Sequence, residues 1–223
     1  MQKFNNYDVI SIKKFESIKK IFQSRESIFE EIYQTNRWND SESRSGPGSN
    51  LKNTQLIRKE ILKILKEYKI NSILDVPCGD FNWMKEVKLD SISYIGADIV
   101  EGIILLNNKK YASKNKMFKK LDIVTDSLPT VDLILCRDLF IHLSINEIKN
   151  SIKNIKKSNS KYLLTTSFIE RRKNEDIKTG SWRPLNLLIA PFNFPKPITT
   201  INEGWSEKEY KDRTLLLWKI IDL

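Results

Sequence analysis

Between residues 72 and 168, five short apolar segments follow one another, and three of them run out into aspartate. Ser72 to Val76, Ser93 to Ile99, Met117 to Ile123, Val131 to Cys136 and Lys161 to Phe168 read as strands. Helical segments fill the gaps. The clearest opens at Ser144, whose capping-box pattern with Glu147 precedes Ile145, Ile148, Ile152 and Ile155 at helical spacing. Strands alternating with helices predict an α/β fold: an open, mostly parallel sheet covered by helices on both faces. Ile198 to Ile201 and Thr214 to Ile221 read as a closing hairpin-like pair, which makes the sheet seven-stranded. Residues 170–197, rich in charge, proline and aromatics, read as a small C-terminal cap insertion.

Ahead of the sheet, the first forty residues read as amphipathic N-terminal helices. Ser27 and Glu30 have capping-box spacing, and Ile28, Phe29, Ile32 and Tyr33 recur on one face. A polar loop from Trp38 to Asn50 follows, with Gly46 and Gly48 around Pro47. A second helix then carries the stripe Leu56, Ile57, Ile61, Ile64, Leu65 and Tyr68. The expected division is therefore 1–50, a helical segment with a polar lid loop, and 51–223, the sheet domain with its cap at 170–197.

A chain of 223 residues can bury a sizeable core in one domain. The formal charge of +10 suggests a nucleic-acid partner, but lysines outnumber arginines about three to one and are scattered over helical faces. Nucleic acid is therefore not expected, and an anionic small molecule would profit equally from the field. Two cysteines and one histidine are too few for a disulfide framework or a closed zinc shell, so no metal site is expected. The opening Met1-Gln-Lys-Phe-Asn-Asn lacks the apolar core of a secretory signal, and no run is long enough for membrane insertion. A cytoplasmic location is the expectation.

Ligands of open parallel sheets lie beyond the carboxyl ends of the strands, near the switch in strand order. The residues there are Asp75-Val-Pro-Cys-Gly-Asp-Phe-Asn-Trp83, then Asp98-Ile99, Asp122-Ile123 and Arg137-Asp138. Leu74 to Asp80 resembles the glycine-rich first motif of the class I S-adenosylmethionine-dependent methyltransferases, a resemblance that covers residues 50–170. It implies their Rossmann-like fold, S-adenosyl-L-methionine as cofactor, and methyl transfer as the activity. It also implies a turn at Asp75, Pro77, Cys78, Gly79, Asp80 and Trp83 under the methionine part. Asp98 would accept both ribose hydroxyls, with Ile99 beside it; Asp122 would address the adenine amino group, with Ile123 against the ring. A carboxylate can accept two parallel hydrogen bonds from a vicinal diol, which gives Asp98 a physical reason for its place. Pro77 and Phe81 stand where the family pattern has glycines. Those missing glycines also argue against a nicotinamide enzyme. Read structurally, Asp75 would cap the following turn, Asp98 and Asp122 would be solvent-facing strand ends, and Cys78 and Cys136 small buried residues.

Methyl transfer to a hydroxyl needs a base. His142, four residues after Asp138, is the candidate, with Asp138 as its partner or substitute; a histidine held structurally is the other reading. Arg137 is assigned to the cofactor carboxylate or another anionic group. The acceptor pocket is drawn from Trp38, Arg44 and Ser45 of the loop and from Arg171, Trp182, Arg183 and Asn186 of the cap, a mixture suited to a sugar or sugar phosphate. For Trp182 and Trp205, burial in the cap's own core is an equal reading. The motif variant resembles a bacterial subgroup associated with modification of small molecules or surface glycans, so O-methylation of a small-molecule or carbohydrate acceptor is the expected function. The alternatives are an RNA or protein methyltransferase and a non-catalytic binding module. Against base methylation, Cys136-Arg-Asp-Leu139 stands where an Asn/Asp-Pro-Pro-Tyr/Phe run would be needed.

Overall fold

Apolar residues alternate along the strands, and in the computed structural model, which describes residues 23–223, that alternation fills two cores. Ile73, Leu133, Leu135, Leu164, Leu215 and Leu217 face one side; Leu74, Ile134, Cys136, Leu163, Leu216 and Trp218 face the other. The strands are β1 (Ser72–Asp75), β2 (Ser93–Asp98), β3 (Lys116–Lys120), β4 (Leu133–Cys136), β5 (Tyr162–Phe168), β6 (Thr199–Asn202) and β7 (Arg213–Lys219). They form one seven-stranded sheet in the order β3-β2-β1-β4-β5-β7-β6. The first five are parallel, and β7 runs antiparallel to both β5 and β6. Strand order reverses between β1 and β4, so Asp75, Asp98 and Cys136 all end at one edge above the switch.

Helix α1 (Arg25–Gln34) begins earlier than its sequence pattern suggests. Ser24, not Ser27, is its N-cap and accepts from the Ser27 amide at 3.1 Å. The helical reading of the residues before Gln23 lies outside the described residues. Helix α2 (Gln55–Glu67) buries Ile57, Ile61, Ile64 and Leu65 as its stripe predicts, while Leu56 stays exposed. Helix α3 (Glu101–Tyr111) fills the β2–β3 crossover. Helix α4 (Ile145–Lys157) carries the complete Ser144–Glu147 capping box.

Two gaps are not helical. Between β1 and β2 there is only a single turn at Met84–Glu86, and residues 121–132 carry no helix. In the first gap, α2 already covers the face that a crossover helix would take, packing in one core with Phe81, Met84 and Val87. The cap is irregular throughout and does two jobs. Leu185 and Leu187 sink into the second core, and Pro195 accepts from Trp218 Nε1 at 2.8 Å, while residues 179–182 reach the site.

Phe81 explains how the first motif manages without its glycine. It adopts a left-handed φ of +60° and buries its ring against Tyr94, Tyr111 and Phe118, with centroids 5.3, 5.2 and 5.1 Å away. The backbone strain of about 1–2 kcal/mol is offset by the aromatic packing. Phe81→Ala keeps the strain and loses the ring, so it should cost about 3–5 kcal/mol in urea denaturation. Phe81→Gly, which relaxes the backbone, should cost about 1 kcal/mol less.

Candidate active site

The turn after β1 is stitched to β2. Cys78 N donates to Ala97 O at 2.8 Å, and Gly79 N donates to Asp98 Oδ2 at 3.2 Å. Val100 N holds the other Asp98 oxygen at 3.0 Å, so backbone amides orient this buried carboxylate. Burial raises Asp98 to about 6 against the pull of the Val100 and Gly79 amides. Asp75, also buried, accepts from Tyr94 Oη at 2.5 Å; burial raises it to about 7, opposed by that hydroxyl and by Arg137. Gly79 has a φ of +53°, and a Cβ there would stand 2.2 Å from Ser45 Oγ. Both the conformation and the contact demand glycine.

The polar loop folds down onto this turn. Asp80 accepts from Ser43 Oγ at 2.9 Å, from Arg44 N at 3.0 Å and from Ser45 Oγ at 3.3 Å. Asn82 Nδ2 donates to Glu42 Oε1 at 2.6 Å and to Ser49 O at 3.2 Å. Asp80 is thus a fastener between loop and turn and does not line the cavity, a correction to its placement on the cofactor. Further along the loop, Gly48 sits so near the ends of β4 and β7 that a Cβ would be 2.8 Å from Asp138 Oδ2.

Loop, strand ends and cap enclose a cavity of about 470 Å³. Asp75, Pro77, Cys78, Gly79, Trp83, Asp98, Ile99 and Arg137 line it, as do Trp38, Arg44, Ser45, Asp138, His142 and Trp182. Asp122 and Ile123 do not. They border a separate recess of about 20 Å³ beside Arg25 and Phe29, room for about one water molecule.

Asp138 and His142 are not joined as an i, i+4 pair. Asp138 has a φ of +59°, and Phe140–His142 is a single 3₁₀ turn. Burial raises the Asp138 carboxyl, but Arg137 and Arg213 outweigh it and hold it below the ordinary range. Its oxygens meet Arg213 Nη2, Arg137 Nη1 at 3.3 Å and Thr166 Oγ1 at 3.1 Å, which makes it an anchored ion-pair member and a poor base. Arg137 is committed as well, donating to Glu203 Oε2 at 2.6 Å and Gly48 O at 2.7 Å.

The partner of His142 is the cap. Its Nδ1 lies 2.9 Å from Ser181 O, and a carbonyl can only accept, so Nδ1 carries the hydrogen and Nε2 keeps its lone pair. Burial draws the imidazole down to about 4 against the Ser181 carbonyl and Asp138, so it is neutral at pH 7. Trp38 packs on it with centroids 4.4 Å apart.

Three cap residues expected in the acceptor pocket are engaged with other parts of the protein. Arg183 donates to the carbonyls of Phe140, Leu143 and Glu175 at 2.6, 2.9 and 3.0 Å, which fixes the turn that carries His142. Asn186 Nδ2 serves Ile169 O and Arg171 O at 3.1 and 2.9 Å. Arg171 pairs with Asp212 and lies over Phe168 and Tyr210. None of the three lines the cavity. Trp182 does, in an edge-to-face cluster with Phe168 and Tyr210, and Trp205 lies 4.2 Å from the Arg213 guanidinium. The sequence pattern placed Tyr33 only on a helical face and Phe168 only at a strand end, and gave Tyr210 and Arg213 no role; all four line the cavity once the chain has folded.

No family model matches the chain, and no curated protein matches it in sequence. Solved structures resemble it in fold. The N-methyltransferase NodS from Bradyrhizobium japonicum WM9, in complex with S-adenosyl-L-homocysteine, aligns at TM-score 0.61 and 12% identity over 84% of this chain and 97% of that one. Human N-acetylserotonin methyltransferase, in complex with S-adenosylmethionine, aligns at TM-score 0.58 and 12% identity over 91% of this chain and 58% of that one. Magnesium protoporphyrin IX methyltransferase from Synechocystis PCC 6803, with bound S-adenosylhomocysteine, aligns at TM-score 0.55 and 12% identity over 75% of this chain and 83% of that one. The chain therefore has the Rossmann-like fold of S-adenosylmethionine-dependent methyltransferases.

Proposed function

We propose that this chain is an S-adenosylmethionine-dependent methyltransferase acting on a hydroxyl of a small polar ring compound such as a sugar. The observation that carries the reading is one cavity lined both by two buried carboxylates at the sheet switch and by a neutral histidine whose Nε2 has no hydrogen-bond partner among the described residues. The residues fit the cofactor: Asp98, oriented by backbone amides, suits a vicinal diol, and Asp75 suits a cationic end. When bound, the cofactor supplies a methyl group that is already activated. The protein's part is to orient the acceptor and take its proton. His142 Nε2 takes that proton, and Ser181 holds the ring in the required tautomer. Trp38, Trp182 and Tyr210 provide flat walls against which the C–H face of a sugar can lie. With Arg171 and Arg183 engaged elsewhere, Arg44 is the one of the three arginines assigned to the acceptor that lines the cavity, and it is the group an anionic sugar would meet.

A phenolic acceptor is favoured by one observation, the low basicity of His142, since a weak base serves an acidic hydroxyl best. Release of S-adenosylhomocysteine over a panel of neutral sugars, sugar phosphates and phenols separates these readings. Turnover with none of the three classes sinks the hydroxyl assignment.

Cofactor affinity should depend on pH. A diol or an ammonium group favours the charged forms of Asp98 and Asp75, which prevail only above about 6 and about 7. Affinity for S-adenosylhomocysteine should therefore rise between pH 5.5 and 8, with proton release visible as a dependence of calorimetric heat on buffer ionisation enthalpy. These raised carboxylates act on the free protein in the opposite sense: the folded state holds more protons than the unfolded one from about pH 4 to 7. Their contribution to stability falls as pH climbs through that window. Affinity that is flat across the range would remove both groups from the binding site.

A further inference from the structure

The first residue of α1 lies across the recess beside Asp122. Arg25 Nε stands 3.1 and 3.0 Å from the two Asp122 oxygens, and its Nη2 stands 2.6 Å from Oδ2. Its Nη1 bonds Glu147 Oε1 at the start of α4. All three side chains are largely sheltered, at 17%, 17% and 18% exposure. Asp122 also accepts from Val124 N at 2.9 Å and Thr125 Oγ1 at 3.2 Å. A carboxylate has about four acceptor sites, so this one is saturated. Glu147 is itself held by the Ser144 hydroxyl and by Thr179 of the cap. The next residue of the helix, Glu26, takes Lys120 Nζ at 2.5 Å. The helix start is thus bolted to the ends of β3 and α4, and Phe29 closes the recess from the same side.

We propose that Arg25 is a competing residue of the nucleobase subsite, occupying the acceptor atoms of Asp122 that an adenine amino group would use. The proposal rests on the cofactor reading above. For a nucleobase to reach Asp122, the guanidinium must leave it, and Glu147 offers a second carboxylate on which it can remain. Cofactor entry is then an exchange of partners at Asp122 that moves the first turn of α1.

The test is the association rate and Kd of S-adenosylhomocysteine, followed by the fluorescence of Trp38 and Trp83, which line the adjoining cavity. Arg25→Ala should associate at least fivefold faster and bind severalfold more tightly than the unaltered chain. Arg25→Gln, which keeps a polar side chain but removes the guanidinium fork and its charge, should associate about twofold faster, and it carries the test if Arg25→Ala does not fold. Equal or slower association in both variants, or weaker binding in Arg25→Ala, overturns the competition while leaving the cofactor reading in place. No binding by the unaltered chain or by either variant overturns both.

Discussion

Asp98→Ala should remove measurable affinity for S-adenosylhomocysteine. The carboxylate is buried at the tip of β2, and its two oxygens are aimed by the amides of Gly79 and Val100. Hydrogen bonds to a charged acceptor contribute about 1.5–3 kcal/mol each, and a vicinal diol makes two. Losing both costs about 3 kcal/mol or more, over a hundredfold in Kd. The substitution also strands two backbone donors, at about 1–3 kcal/mol each, partly offset by removal of a carboxylate that burial disfavours. The fold should survive with a lowered melting temperature. Asp98→Asn, which keeps one acceptor oxygen, should fall between the two proteins. Calorimetry on all three decides it: undiminished affinity in Asp98→Ala removes the ribose from this strand end.

His142→Ala should reduce turnover by about 10²–10⁴-fold, the range for loss of a positioned general base. Cofactor affinity should stay within a fewfold, because His142 packs on Trp38 and is bonded to the cap at Ser181. The pH profile gives the sharper test. The base is active when neutral, so turnover at saturating cofactor should hold from pH 8 downward and decline only as pH falls towards about 4. An acid limb near 6.5 would mean that the imidazole titrates at its ordinary value and that its surroundings do not depress it. Turnover in His142→Ala equal to that of the unaltered chain would leave the residue a purely structural role.

Features governed by neighbours in the chain were legible beforehand. The Ser144–Glu147 box closes within one helical turn, and the two-residue alternation of β4 and β7 assigns each side chain a face whatever lies beyond. The aspartates ending β1 and β2 are readable for the same reason: a charged residue terminating an apolar run marks a strand tip, and strand tips gather at one edge of a parallel sheet. The missing β1–β2 helix was not legible, since it depends on α2 already covering that face.

Among the polar side chains the division is clearest. Composition and position in the chain put Arg183, Asn186 and Asp138 at the site, and the family resemblance put Asp80 there; of the four only Asp138 lines the cavity. Their work depends on partners distant in the chain: Arg183 on the carbonyls around His142, Asn186 on those of Ile169 and Arg171, Asp80 on Ser43 and Asp138 on Arg213, as that of Arg25 does on Asp122. Hydrophobic periodicity is a local property that burial rewards wherever the element packs, so the strands and the face each side chain takes could be read from the chain, whereas their order in the sheet came only with the fold. A hydrogen bond must be met within about 3 Å by one particular atom. Which donor meets which acceptor, and hence which residues face the cavity and which merely build it, was settled when distant segments came together.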